Sequence, residues 1–394
     1  MRPRQGATPV TPSSGPVIWQ YGFRPFYLLA SIFACVSLLL WVAQLSALLP
    51  AAYLSEPLWH GHEMLFGFTT AVIAGFLLTA VATWTRQPPL RGAPLACLAI
   101  LWLAGRVLVL TPWSSAATIA NLLFPLGVAA AIAIPLVRTS NRRNMLFIGL
   151  LALLGALAAL LHLSAAGVLD LPAGLGLRAG LDVVLLVMVI IAGRVVPMFT
   201  NNAIAAAGAI RDPLVERAAP LVVAALLIAD LLQAEGAIVA ALAGLAAVVH
   251  AARLGLWRPW RTLHAPLVWI LHAAYGWIVI HLLLRMMAAA GWLAPSLATH
   301  ALTIGAIGGM TIGMMTRTAR GHTGRPLKAG STETAMFLLM QAAALIRVGG
   351  GILLPGVFLA TVQVSGLLWS LAFGLYAIAY WPVLTGPRVD GRPG

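Results

Sequence analysis

Charge is what this sequence has least of: Asp, Glu, Lys and Arg make up 9% of its 394 residues, against roughly a quarter in an ordinary soluble domain. Such a chain cannot cover its own surface in water, which excludes a soluble globular protein. Cysteine is nearly absent. Cys35 and Cys97 stand in apolar stretches without a CxxC partner, excluding a disulfide framework and a thiolate metal site. Long polar loops are missing too, so no extramembrane domain can carry a separate activity and any site must be built from helices. No cleavable signal is evident: the first apolar run is long, follows a 25-residue polar, Pro-rich start and lacks a small-residue cleavage site, so the first helix is expected to act as its own signal.

Apolar length is what the sequence has in abundance. It is 61% hydrophobic with a mean hydropathy of +0.96, and a helix needs about 20 apolar residues to cross the hydrocarbon core. Helices are expected near 26–49, 57–85, 92–111, 116–137, 144–168, 175–199, 216–232, 236–256, 265–289, 295–316, 332–350 and 353–384. The fold class is all-α, a polytopic membrane bundle of about 12 transmembrane helices. Residues 1–25 form an N-terminal segment, 26–385 the membrane domain and 386–394 a short tail.

A net charge of +14 raises the question of a nucleic-acid partner, and the placement of the charge answers it. With the N-terminus inside, the cytoplasmic segments hold 19 of the 24 Lys and Arg, and the opposite loops hold Arg178 alone. Arg106, Arg194, Arg285 and Arg347 fall inside helices. This is the positive-inside pattern. It implies a lipid bilayer partner, both termini cytoplasmic, and no nucleic acid.

Sliding the second helix along the chain reveals a repeat. At an offset of 238 residues His62 matches His300, Gly67 matches Gly305, Gly75 matches Gly313 and Pro88 matches Pro326 without a gap; Arg106-Val107 then matches Arg347-Val348 at an offset of 241. Helices 2–3 and 10–11 read as copies in one orientation, which three units of four helices would generate, with helices 5–8 the most divergent.

Ionisable groups within apolar helices are candidates for function because burying them in lipid is costly. His60, His62, His162, His281 and His300 fall in the outer half of the expected membrane, and His250, His264, His272 and His322 nearer the cytoplasm; His250 and His264, at helix ends beside water, carry the least weight. The motif WHGHEM, Trp59 to Met64, holds two imidazoles two residues apart. On a regular helix they diverge by about 200°, so they serve different partners unless Gly61 breaks the geometry. Imidazole suits copper, iron and zinc alike, and spacing does not name the metal. Glu63 could orient a ligand imidazole, act in proton transfer or simply cap the helix. His62 and His300, paired by the repeat, have the disposition of two axial haem ligands, with Arg106 and Arg347 as charges for its carboxylates. Pairing of these arginines with Asp230 or Glu235 is the competing explanation. LHAAYGW gathers His272, Tyr275 and Trp277, Tyr275 being a second candidate for proton delivery. GRVVPMFT contains Arg194 and Pro197, and the proline is expected to break its helix and expose backbone to a cavity. Met310, Met314 and Met315 could offer thioethers to Cu(I), although gap-filling in the core is the simpler role.

Beyond these local patterns the chain resembles the NnrS family of bacterial inner-membrane proteins, described as containing haem and copper and belonging to the nitric oxide response. The resemblance runs through GFRPFY (Gly22 to Tyr27), WHGHEM, GFLLTAVATWT (Gly75 to Thr85), GRVVPMFT (Gly193 to Thr200), LHAAYGW (Leu271 to Trp277) and the stretch from Thr299 to Pro326. It implies haem b and copper as cofactors, metal or haem roles for His60, His62, His272, His300 and His322, and supporting roles for Glu63, Arg194 and Arg317. His162 and His281 lie outside the matched segments. The function implied is binding of, or reaction with, nitric oxide, with a quinol or electron-donor protein as partner if there is turnover. A secondary transporter and a haem or copper delivery protein are the alternatives.

Overall fold

The computed structural model describes residues 15–45, 48 and 53–392. The remainder of the N-terminal segment, with Arg2 and Arg4, lies outside the described residues, as do parts of the first connection. Twelve helices account for the described chain: α1 (Phe23–Leu45), α2 (Pro57–Thr85), α3 (Ala93–Leu108), α4 (Ser114–Arg138), α5 (Leu146–Ala165), α6 (Ala173–Ala203), α7 (Pro213–Leu231), α8 (Ala237–Leu256), α9 (Pro266–Ala289), α10 (Pro295–His322), α11 (Ser331–Leu353) and α12 (Phe358–Thr385). Ten are long and apolar enough to span a membrane. The other two fall short for different reasons. α3 has 16 residues, or roughly 24 Å at 1.5 Å per residue, and α7 carries Glu216, Arg217 and Asp230.

Helix starts follow local chemistry. Pro57, Pro213, Pro266 and Pro295 occupy first-turn positions, where a missing N–H costs nothing. Asp212 caps α7 by accepting from the Leu214 and Val215 amides at 2.9 and 3.0 Å. The two ends of the chain meet. Arg24 donates to the carbonyls of Leu384 and Gly386 at 2.8 and 2.9 Å, tying the start of α1 to the end of α12.

The fourfold spacing expected from the repeat reappears in the packing. Among the ten candidate spans α2, α6 and α10 are the most deeply buried, one from each unit of four. The short α3 and the charged α7 hold equivalent third places. A further correspondence appears in the helical ladder itself. α2 contains a π-helical stretch, Glu63–Thr69, and α10 contains another, Ala301–Gly308. Their starts are separated by the same 238 residues as the sequence repeat. π-Helical turns widen the ladder and leave carbonyls in need of donors; Trp102 of α3 supplies one to Gly67 at 3.0 Å. Gly67 and Gly305, matched in the repeat, open the widened turns to neighbours: a Cβ on Gly67 would collide with Arg106, and one on Gly305 with Trp277.

One expectation fails here. α6 does not break at Pro197 but runs on to Ala203. Arg253 of α8 lies against Gly193, where a side chain would leave it no room, and donates to the Val189 carbonyl, two turns before the proline, at 3.0 Å.

Candidate functional site

At the end of the bundle opposite the chain termini, the first turns of α2 and α10 border a cavity of about 540 Å³, within the usual range for small-molecule and cofactor sites. α1, α6, α11 and α12 complete its wall. Leu38, Leu65, Phe68, Leu177, Ile304 and Trp369 make it apolar, and the polar groups are few: His60, His300, Arg178, Arg347 and scattered hydroxyls.

His60 comes from α2 and stacks on Trp41, ring centroids 4.2 Å apart at 23°. His300 comes from α10, just before the π-helical stretch. Its Nδ1 lies 2.6 Å from the Ser296 carbonyl, which can only accept. The proton therefore sits on Nδ1 and Nε2 carries the lone pair, the tautomer a metal ligand requires. Arg347 is 5% exposed, packs over Phe358 at 4.8 Å, and leaves Nη1 buried without a partner. Arg178, from the first turns of α6, adds a second cation to the wall. Two imidazoles and two guanidiniums around an apolar space suit a flat, apolar ligand with anionic edges.

The structure does not bring His62 and His300 together, although the repeat matches them. His62 points away from the cavity and His60 takes its place there. The 200° divergence expected for residues two apart is realised, with the two positions exchanged. His62 is fully buried beside Glu63, Nδ1 to Oε1 2.7 Å, and beside His162 of α5. Glu63 Oε1 also accepts from Arg106 at 2.7 Å, and Arg106 donates to Asn121 of α4. Arg106 is thus committed to a carboxylate, and that carboxylate is Glu63. Asp230 instead meets Arg285, which bridges Asp230 and Asp182 at 2.7 Å each. A lone acid in an apolar helix such as Asp182 was a signal available in the sequence.

The remaining candidates lie apart from the cavity. His272 Nε2 is 2.8 Å from the Thr200 hydroxyl. The Tyr275 hydroxyl lies 2.6 Å from His250 Nδ1 and accepts from Arg253 at 3.0 Å, and Arg253 holds Glu216 by two nitrogens. His250 is fully buried in this network, not at a watery helix end. Arg194 donates to Asn144 Oδ1 at 2.5 Å and braces the α4–α5 connection. Arg317 lies over Phe199 at 3.8 Å, and His322 packs between Tyr21 and Phe23 near the chain ends. His281 Nδ1 meets the Ala298 carbonyl at 2.8 Å. Met310, Met314 and Met315 are buried in the main apolar core. Among the described residues no group of three or more His, Cys, Asp or Glu is assembled to hold a metal ion.

Twelve helices enclosing a histidine- and arginine-walled cavity at one end define a polytopic membrane protein with an internal cavity. The chain matches the NnrS protein family over residues 17–388 and belongs to that family. No curated protein matches it.

Proposed function

We propose that this is a haem b and copper protein of the bacterial inner membrane that binds or reacts with nitric oxide, with its chain ends in the cytoplasm. The observation that carries the reading is the cavity between α2 and α10, where His60 and the Nδ1-protonated His300 stand on the wall with Arg178 and Arg347. These residues fit a haem: two imidazoles for the iron, an apolar space of about 540 Å³ for the ring, and two guanidiniums for its carboxylates. The bound haem would supply a redox-active iron that could bind nitric oxide on releasing one of the two imidazoles. The chain's own residues do the rest. Ser296 fixes the His300 tautomer, Trp41 holds the His60 ring, and the apolar wall excludes water. Nitric oxide is small and apolar, so it reaches such a space through the lipid without an aqueous channel. Glu63 and Tyr275 are absent from the cavity wall, and the proposal gives neither a proton-transfer step there. Turnover would require electrons from a quinol or a donor protein.

Copper does not fit as a four-ligand centre of His, Cys, Asp or Glu, since no group of three or more of these is assembled among the described residues. The transporter alternative loses the broken helix on which it partly rested, because α6 is continuous. An absorption spectrum of the purified protein tests the haem reading. A Soret band with reducible α and β bands is expected in the wild type, moving towards high spin in His60→Ala and His300→Ala and unchanged in His272→Ala. Absence of a Soret band in protein made with ample haem overturns the reading.

A further inference from the structure

Glu63, Glu216 and Glu333 each have a guanidinium of their own, in Arg106, Arg253 and Arg320. Between α6, α7 and α9 two carboxyl groups share one. Arg285 Nη1 reaches Asp182 Oδ1 and its Nη2 reaches Asp230 Oδ1, both at 2.7 Å. Asp182 is 1% exposed and its Oδ2 is buried without any donor. The Asp182 and Asp230 carboxyl groups are also hydrogen-bonded to each other. Ionised carboxylates only accept, so that contact needs a hydrogen on one of them. No second cation reaches the pair from the surrounding helices. Arg178 of α6 stands on the cavity wall, Arg194 braces the α4–α5 connection, Arg253 of α8 is committed to Glu216, and Arg106 to Glu63. His281 lies one turn before Arg285 on α9; its Nδ1 is directed to the Ala298 carbonyl at 2.8 Å, and its Nε2 is buried without a partner.

We propose that Asp182 and Asp230 bind one exchangeable proton between them, making the triad with Arg285 a neutral proton-binding site inside the membrane domain. The charge count selects the ligand. Two carboxylates against one guanidinium would leave a net negative charge among apolar helices, where it is costly, and carboxyl groups sharing one site resist double ionisation. A proton removes that charge and supplies the hydrogen that the contact between the acids requires. Asp230 belongs to the last turn of α7, beside the exposed Leu232 and Gln233, and gives the proton its way in. Asp182 lies deeper, directly after Leu181 and one turn after Arg178, both on the cavity wall. The bound proton is thus held on the helix that borders the cavity, and the site does not depend on any haem there.

The test is infrared spectroscopy of the purified full-length protein at neutral pH, with carbon-13 placed in the aspartate carboxyls. The wild type should show the carbonyl stretch of a protonated aspartate, roughly one group per chain, moved to lower frequency by the label and again by transfer into D2O. Asp182→Asn and Asp230→Asn should each abolish it, since an asparagine amide supplies the N–H that the protonated acid supplied. Glu63→Gln should leave it in place. The other aspartates do not compete for the assignment: Asp170 and Asp390 are exposed, and Asp212 caps the exposed start of α7. The labelled wild type therefore decides even where a variant fails to fold. Absence of a protonated-aspartate band from the wild type overturns the proposal, as does a band that persists in both Asn variants or does not respond to D2O. A missing Soret band would refute the haem reading and leave this result unchanged.

Discussion

Arg285 balances two carboxylates that would otherwise face each other between helices. It reaches Asp182 on α6 and Asp230 on α7 at 2.7 Å each, and Asp182 is 1% exposed. Removing one partner of a buried pair is far more harmful than exchanging the whole group for apolar residues, because it leaves charge in a low-dielectric interior. Arg285→Met is therefore expected to destabilise the protein by about 3–5 kcal/mol, seen as a lower thermal midpoint in detergent. Asp182→Asn combined with Arg285→Met should recover part of that loss; equal midpoints for the single and double variants would show that the carboxylates are not the cause. The same contrast explains what was legible at the scale of residues. That His60 and His62 face different surroundings follows from 100° per residue. Which of them faces which depends on where α5 and α10 pack, and no local pattern encodes that. The partners of Arg106 and Arg285 were open for the same reason. Glu63 and Arg106 are 43 positions apart, and Asp182 and Arg285 are 103 apart.

Among the helices, the π-helical stretches of α2 and α10 are the features most closely tied to the site. Each begins one residue after a histidine, His62 or His300, and each carries a glycine that admits a bulky neighbour. A Cβ at Gly305 would meet the Trp277 indole, whose own N–H is held by Gln341 at 2.9 Å. Gly305→Ala should therefore cost about 1–3 kcal/mol through overpacking. Gly149→Ala, where nothing lies within 4 Å, should leave the thermal midpoint unchanged or raise it slightly, since a helical alanine outperforms glycine. Equal effects from both would refute the packing argument. The glycines were visible in the sequence as a matched pair, but the widened ladder was not, because a π-turn is a choice made by packing among nearly equivalent hydrogen-bond patterns. Pro197 teaches the converse. Its missing N–H is a true local signal, yet α6 stays helical past it to Ala203.

For the whole molecule, the match of α2 to α10 in sequence and the deep burial of α2, α6 and α10 share a four-helix spacing, in which the second helix of each four faces the interior. Polar groups follow that arrangement. His62, Glu63 and Arg106 come from the first unit, Asp182 and Asp230 from the second, and His300 and Arg347 from the third, with α5 and α9 of the next unit adding His162 and Arg285 to the first two clusters. An even number of helices returns the chain to its starting side, consistent with Arg24 holding the end of α12. The proposed orientation, with the chain ends in the cytoplasm, rests on the basic residues: 19 of the 24 Lys and Arg fall in sequence segments expected on that side, while Arg178 stands at the opposite end, in the first turns of α6. In that orientation the cavity and the His62–His162 pair would lie in the periplasmic half. Reporter fusions check this. A cytoplasm-active reporter should work after Gly394 and in the Thr323–Gly330 connection, and a periplasm-active reporter should work in the Ala290–Ala294 connection. Periplasmic activity after Gly394 would require an odd number of crossings, and the short α3 or the charged α7 would be the helix to remove.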